Sequence, residues 1–250
     1  MISVAVMAHP RRTRLAEDLG FPIVWDRKND RRDTGRRAWL AHDPGASHHL
    51  VLQDDAVLAP GLIPALEKLV ETTGEQPVSL FYCRTGPAFL PIDLIGRLAS
   101  EGSYSGIDLG VLYSGVAVMV PVPHIGDMLG YMARLPHAAY DVPIWRYYQH
   151  RGLDFRYTWP SLVDHREMTE SRSLVSRRDY PGRVAYRFAE GSALDVDWSL
   201  PVLDAASAVE AHSGAPMFTW RHRLTGQLYT LDVTRKKRKV PTGPWERVDR

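Results

Sequence analysis

The chain has 250 residues, 44% of them hydrophobic, which is enough to bury a sizeable core in one domain or in a large domain with an appendage. A charged fraction of 24% and a formal net charge of +2 are ordinary for a soluble globular protein and too mild to require a polyanionic partner by themselves. The single cysteine, Cys83, excludes an intrachain disulfide and a cysteine-built zinc site, and it fits a reducing, cytoplasmic setting.

Ile2 to Ala8 has the length and composition of a buried strand. Arg11, Arg12 and Arg14 follow this apolar run, the reverse of the order in a signal peptide, and no apolar stretch approaches the roughly 18 residues of a membrane span. A helix from Arg11 to about Leu19 would return the chain to a second strand, Ile23-Val24-Trp25, giving a β-α-β opening. Asp26, at the end of that strand, is placed to meet a ribose hydroxyl, and it is also a turn former ahead of Asn29-Asp30. Between Arg31 and His42, Thr34 supplies an N-cap for a further helix. The arginines in its first turn, Arg36 and Arg37, oppose the helix dipole unless they face an anion, and guanidinium suits bidentate phosphate contact; a solvated basic face is the alternative.

The stretch His48-His49-Leu50-Val51-Leu52-Gln53-Asp54-Asp55 is an apolar run ending in adjacent acids. Two carboxylates side by side raise each other's pKa unless a cation or hydrogen-bond donors stabilise their charge. Hard divalent ions take few protein carboxylates and complete their shell with water and substrate phosphates. At the C-terminal end of a strand, where open α/β sheets bind ligands, the pair predicts a metal–phosphate site; the alternative is a solvated turn ahead of Pro60-Gly61.

Leu62, Ala65, Leu66, Leu69 and Val70 then mark an amphipathic helix, Pro77 to Cys83 a strand, and Arg84 to Pro87 a loop. Asp93 to Ala99 reads as a short helix, followed by a Gly/Ser-rich loop over Glu101 to Gly106. Val111 to Val120 reads as a buried strand pair interrupted by Ser114 and Gly115, whose small size admits a ligand or backbone. Pro121 and Pro123 end it, and Ile125, Met128, Leu129 and Met132 form another apolar helix face. Asp141 is a natural N-cap for a helix with Pro143 in its first turn and Gly152 at its end. A strand over Phe155 to Trp159 leads to Pro160-Ser161-Leu162-Val163-Asp164-His165, where an apolar pair again ends in metal-competent side chains. Arg166, Arg172, Arg177, Arg178, Arg183 and Arg187 follow in a weakly periodic region that reads as a basic loop or lid. Further on, Phe218 to Arg223 and Gln227 to Val233 flank Leu224-Thr225-Gly226, a hairpin signal. Arg235, Lys236, Lys237, Arg238 and Lys239 form a basic run that reads as a polyanion-binding or nuclear-localisation tract, or as a solvated tail.

With Gln53-Asp54-Asp55 after a strand, a basic helix before it and Val163-Asp164-His165 about a hundred residues later, the chain resembles GT-A nucleotide-sugar glycosyltransferases. The resemblance covers roughly residues 1–190. It implies an α/β, Rossmann-like fold with a mixed, mostly parallel sheet flanked by helices, leaving 191–250 as a small β-rich appendage. It also implies a UDP- or GDP-sugar donor and a divalent metal, Mn²⁺ or Mg²⁺. Asp55 would bind the metal, Asp54 would support it near the ribose or through a metal-bound water, and His165 would be the second ligand. Asp26, Arg36, Arg37, Asp54 and Gly115 would meet the donor, and Asp141 would be the base of an inverting reaction. Gln53 stands where many members carry an acid, a departure that bears on metal affinity. Two other readings are a nucleotidyltransferase, for which His9-Pro10-Arg11-Arg12 lacks the phosphate-loop glycines, and a nucleic-acid-binding module built on the hairpin and basic run. The last combines with the first if the acceptor is a modified base in DNA.

Overall fold

The computed structural model describes residues 1–87, 90–135, 140–166, 182–213, 218–222, 228–231 and 245–248. The chain opens with β1 (Ile2–Ala8), a 3-10 turn at Pro10–Arg12, α1 (Thr13–Glu17) and β2 (Ile23–Trp25). It continues through α2 (Arg31–Leu40), β3 (His48–Gln53), β4 (Ala56–Leu58), α3 (Leu62–Thr73), β5 (Val78–Ser79), α4 (Ile92–Glu101), β6 (Gly106–Leu109) and β7 (Ala117–Pro121). Then come α5 (Ile125–Ala133), α6 (Asp141–His150), β8 (Phe155–Thr158), β9 (Val163–His165), β10 (Val202–Asp204) and α7 (Ala205–Ser213). Three further strands, β11 (Phe218–His222), β12 (Leu228–Leu231) and β13 (Trp245–Val248), form a separate antiparallel sheet with β11 in the middle, and its β11–β12 pair is the expected hairpin.

The fold is α/β. Eight strands make one mixed sheet in the order β10-β6-β8-β5-β7-β3-β1-β2. The pairs β1–β2, β1–β3, β5–β8 and β6–β10 are parallel, while β7 runs against both β3 and β5, and β6 runs against β8. The outermost strand, β10, comes from beyond residue 190.

Alternation along β1 and β3 sends side chains to two apolar layers, as the period-2 geometry of a strand requires. Val6, Leu50 and Leu52 face α3, through Leu62, Leu66 and Leu69. Ala5 and Val51 face the opposite layer, built from Trp39 of α2, Ile95 of α4, Met128 of α5, Ile144 of α6 and Val209 of α7. With helices on both faces, a strand such as β3 is buried almost throughout and shows a continuous apolar run.

Several boundaries differ from the sequence reading. The N-cap of α2 is Asp30, whose side chain accepts from the backbone N–H groups of Arg32 and Asp33; Thr34 is buried inside the helix and donates back to the Asp30 carbonyl. Asp141 is the first residue of α6 rather than its N-cap, a position held by Tyr140. The helix expected from Arg11 is split into a 3-10 turn and the five-residue α1. The strand expected over Pro77 to Cys83 is regular only at Val78–Ser79, because beyond it Tyr82 N–H donates to the Ser161 hydroxyl and Tyr186 N–H to the Tyr82 carbonyl, outside the main ladder. The strand expected from Val111 begins only at Ala117, since Tyr113 N–H donates to the Tyr157 hydroxyl instead of a neighbouring strand. The Gly/Ser loop gives way to β6 at Gly106.

Gly35 sets how closely α2 approaches α6: a Cβ there would lie 2.1 Å from Tyr140 Cε2. Alanine would gain about 1 kcal/mol of helix propensity, yet overpacking a buried ring costs about 1–3 kcal/mol, so the clash wins. Gly35→Ala is expected to lower the unfolding free energy by about 1–2 kcal/mol in urea titrations, with an unchanged m-value.

Candidate functional site

Asp54 and Asp55 form the two-residue turn between β3 and β4, and the two residues are only 5% and 3% exposed. Charge at this depth needs partners, and the sequence supplies them from both directions. From β1, the chain turns at His9, whose backbone N–H donates to Asp54 Oδ2 at 2.8 Å. Arg12 follows in the 3-10 turn, and one guanidinium nitrogen donates to Asp54 Oδ1 at 2.9 Å and to Asp55 Oδ2 at 2.6 Å. From the far end of the chain, β9 pairs antiparallel with β4, setting Ala56 opposite His165, and His165 Nε2 lies 3.2 Å from Asp55 Oδ2. Arg166 N–H closes the ribbon on the Asp55 carbonyl.

The environment drives the two acids apart. Burial pushes the Asp54 carboxyl up, helped by the neighbouring Asp55 charge and opposed by His9 N–H and Arg12. Asp55 also resists burial, but the His165 hydrogen bond and charge, together with Arg12, hold it below the usual carboxylate range. Burial alone would lower the Arg12 pKa; Asp55 and Asp54 outweigh it, so the guanidinium is held still more firmly charged. Among the described residues, Asp55 Oδ1 and His165 Nδ1 belong to a wider set of buried polar atoms without a hydrogen-bond partner.

The site continues sideways through Gln53, whose side-chain amide donates to the Gly115 carbonyl at 3.0 Å. Gly115 in turn borders α6: a Cβ added there would sit 3.3 Å from the Tyr140 ring and 3.8 Å from Asp141 Cβ. Asp141 is partly accessible, and burial raises its pKa against the opposing effect of its own and Val142's N–H groups and of the Arg31 and Arg183 charges. Burial shifts a carboxyl upward in this way whether its role is structural or chemical.

The other expected site residues have local tasks. Asp26 follows β2, and its Oδ1 accepts from the N–H groups of Lys28 and Asp30, the turn-forming role. Arg37 is tied to Asp33 at 2.9 Å and to the Trp25 carbonyl at 2.8 Å, fastening α2 to the end of β2. Arg36 is exposed on α2. Asp164 accepts from its successor's N–H and from Ala185 N–H, anchoring the segment that carries Arg183. The basic run Arg235, Lys236, Lys237, Arg238 and Lys239 lies outside the described residues, as does most of the basic segment after Arg166.

No protein-family model matches the chain, and no curated protein is significantly similar to it. Its chemistry is therefore argued from the site. Sequence reasoning brought Asp55 and His165 together across 110 positions and missed His9 and Arg12, the first contributing a backbone group with no side-chain signature. Arg12 carries a usable signal: an arginine four residues past β1 reaches the end of an adjacent parallel strand.

Because the folded pKa of Asp55 is depressed, its stabilisation is present above the ordinary carboxylate pKa and is lost as pH falls through the folded value. The raised pKa of Asp54 has the opposite sign, its contribution falling as pH rises through the folded value. Asp55→Asn is expected to cost about 3 kcal/mol near neutral pH, the scale of breaking a buried pair, and the difference from wild type should shrink toward zero in acid. Urea unfolding as a function of pH measures it.

Proposed function

We propose that the protein is a metal-assisted glycosyltransferase of the GT-A type, moving a sugar from a UDP- or GDP-sugar to an acceptor hydroxyl. The observation that carries this reading is the convergence of Asp55 and His165, 3.2 Å apart, beside Asp54 at the C-terminal end of β3. Among the described residues no three His, Cys, Asp or Glu side chains group into a complete ion site. Two protein ligands suffice for a hard cation whose remaining positions are filled by water and a diphosphate. Asp55 Oδ1, buried and without a hydrogen-bond partner, supports this reading as an acceptor still open to a cation. Asp55 and His165 would hold Mn²⁺ or Mg²⁺, which when bound supplies positive charge to the departing nucleoside diphosphate.

The chain's own residues do the rest. Asp54, fixed by His9 N–H, keeps the β1 turn against the β3 end, so the donor's nucleotide would lie across the ends of β1 and β2. Arg12 and Arg31 add positive charge near a developing diphosphate. Gln53 holds the Gly115 carbonyl in place, and the missing side chain at Gly115 leaves room beside Asp141. Asp141 then takes the acceptor hydroxyl's proton as the oxygen attacks the anomeric carbon, with inversion.

Isothermal titration of UDP and GDP in the presence of Mn²⁺ tests the reading; wild type should bind one of them and Asp55→Ala should lose that binding. Absence of binding to both nucleotides overturns it. Asp141→Asn should keep nucleotide affinity while donor turnover to acceptor falls about a hundred- to ten-thousand-fold. In wild type, turnover should rise with pH through an apparent pKa above the usual carboxylate range, because the base must be ionised.

A further inference from the structure

The position of Arg12 carries a consequence for how a cation reaches the acids. Its guanidinium nitrogen lies between the carboxylates, 2.9 Å from Asp54 Oδ1 and 2.6 Å from Asp55 Oδ2, and the side chain is 14% exposed. Asp55 Oδ2 also faces His165 Nε2 at 3.2 Å. Adjacent ligands of an octahedral ion, each about 2.1 Å from the metal, stand roughly 3 Å apart, so this oxygen and nitrogen have the separation of two ligands on one cation. The guanidinium therefore stands on the same oxygen that the ion needs. Two positive charges on one desolvated carboxylate oxygen repel, so they bind in alternation.

We infer that Arg12 is the resident cation of the Asp54–Asp55 pair and that a divalent ion binds only by displacing it. The inference rests on the divalent-ion reading of the site given above. Three features favour exchange over permanent closure. Asp55 Oδ1 has no partner while Arg12 is in place, so the guanidinium leaves carboxylate acceptor capacity unmet that an ion would use. Arg12 sits at the junction of a three-residue 3-10 turn and the five-residue α1, of which only Ala16 is buried, so moving the side chain outward disturbs little packing. Asp54 Oδ2 remains held by His9 N–H independently of Arg12, so the turn keeps one anchor when the guanidinium leaves. The displaced arginine would remain beside the bound ion, with its charge available to a polyanion such as the donor's diphosphate. Cation and nucleotide would then each improve the binding of the other.

The test is an electron paramagnetic resonance titration of the full chain with Mn²⁺ alone, comparing wild type, Arg12→Met, Arg12→Lys and the double variant Arg12→Met/Asp55→Asn. Arg12→Met should bind Mn²⁺ at least about tenfold more tightly than wild type. Arg12→Lys, which keeps the charge on a shorter side chain, should fall between them, and the double variant should lose the gain. In thermal melts Arg12→Met should unfold below wild type in a chelator and recover most of the difference when Mn²⁺ is added. Should Arg12→Met not fold, Arg12→Lys against wild type carries the same comparison. Equal Mn²⁺ affinity in wild type and the arginine variants overturns the displacement. So does wild type that binds UDP while no variant binds Mn²⁺, an outcome that leaves the transferase reading standing. Tighter Mn²⁺ binding by Arg12→Met in a protein that binds neither UDP nor GDP upholds the displacement and overturns the transferase reading.

Discussion

Two adjacent carboxylates withdrawn from water repel each other and resist ionisation, and much of this molecule is arranged to offset that. Every partner that stabilises them is remote in sequence: His9 and Arg12 come from the turn after β1, His165 from β9. The acids thereby fix the relation between the opening β-α-β unit, the middle strand and a ribbon formed much later in the chain. A neutral turn between β3 and β4 would need none of these contacts, and the arginine bridging both acids would have no counterpart. Structural ion pairs perturb pKa values too. What sets this cluster apart is two adjacent buried acids at a strand end that share one arginine nitrogen.

The sheet's direction changes explain why polar groups gather at this place. β2, β1 and β3 run the same way, and β7 runs against β3, so the start of β7 lies beside the end of β3. The chain therefore delivers Gln53 and Val116 to neighbouring positions, with Gln53 N–H bonded to the Val116 carbonyl and its side-chain amide to Gly115. A parallel neighbour would have placed another helix-bound crossover there. Reversal instead leaves an edge where short, irregular backbone borders the acids, and α6 closes that edge with Tyr140 wedged between Gly35 and Gly115.

Buried strands were legible because two-sided burial writes long apolar runs, as in Ile2 to Ala8 and His48 to Leu52. Amphipathic helices such as α3 were legible for the same reason, since Leu62, Ala65, Leu66 and Leu69 recur at helical spacing. Periodicity could not see where apolar chain leaves the ladder: Leu80 to Cys83 and Leu112 to Val116 are buried yet irregular, their amides satisfied in part by the hydroxyls of Ser161 and Tyr157. Caps were misassigned where two candidates lay close, Asp30 against Thr34 and Tyr140 against Asp141, because local preference is smaller than the packing that sets each helix's start. In the site, the resemblance to glycosyltransferases implied Asp55 and His165 as partners and they lie together, while Arg37 and Asp26 make hydrogen bonds to nearby backbone that sequence did not indicate for the arginine. Residue type alone does not separate an arginine that waits for a phosphate from one that fastens a helix.

The three-residue ribbon of β4 and β9 ties these halves with a register that sets Ala56 against His165. During synthesis the acids leave the ribosome 110 residues before the histidine that meets them, so the nascent chain carries the acidic turn without that partner over a long stretch of its elongation. Of the two side chains that meet Asp55, Arg12 is already made in that interval and His165 is not. Closing so long a loop is costly in entropy, and the pairing of β10 with β6 in the main sheet closes one nearly as long, so ribbon and sheet edge both belong among the late events of folding.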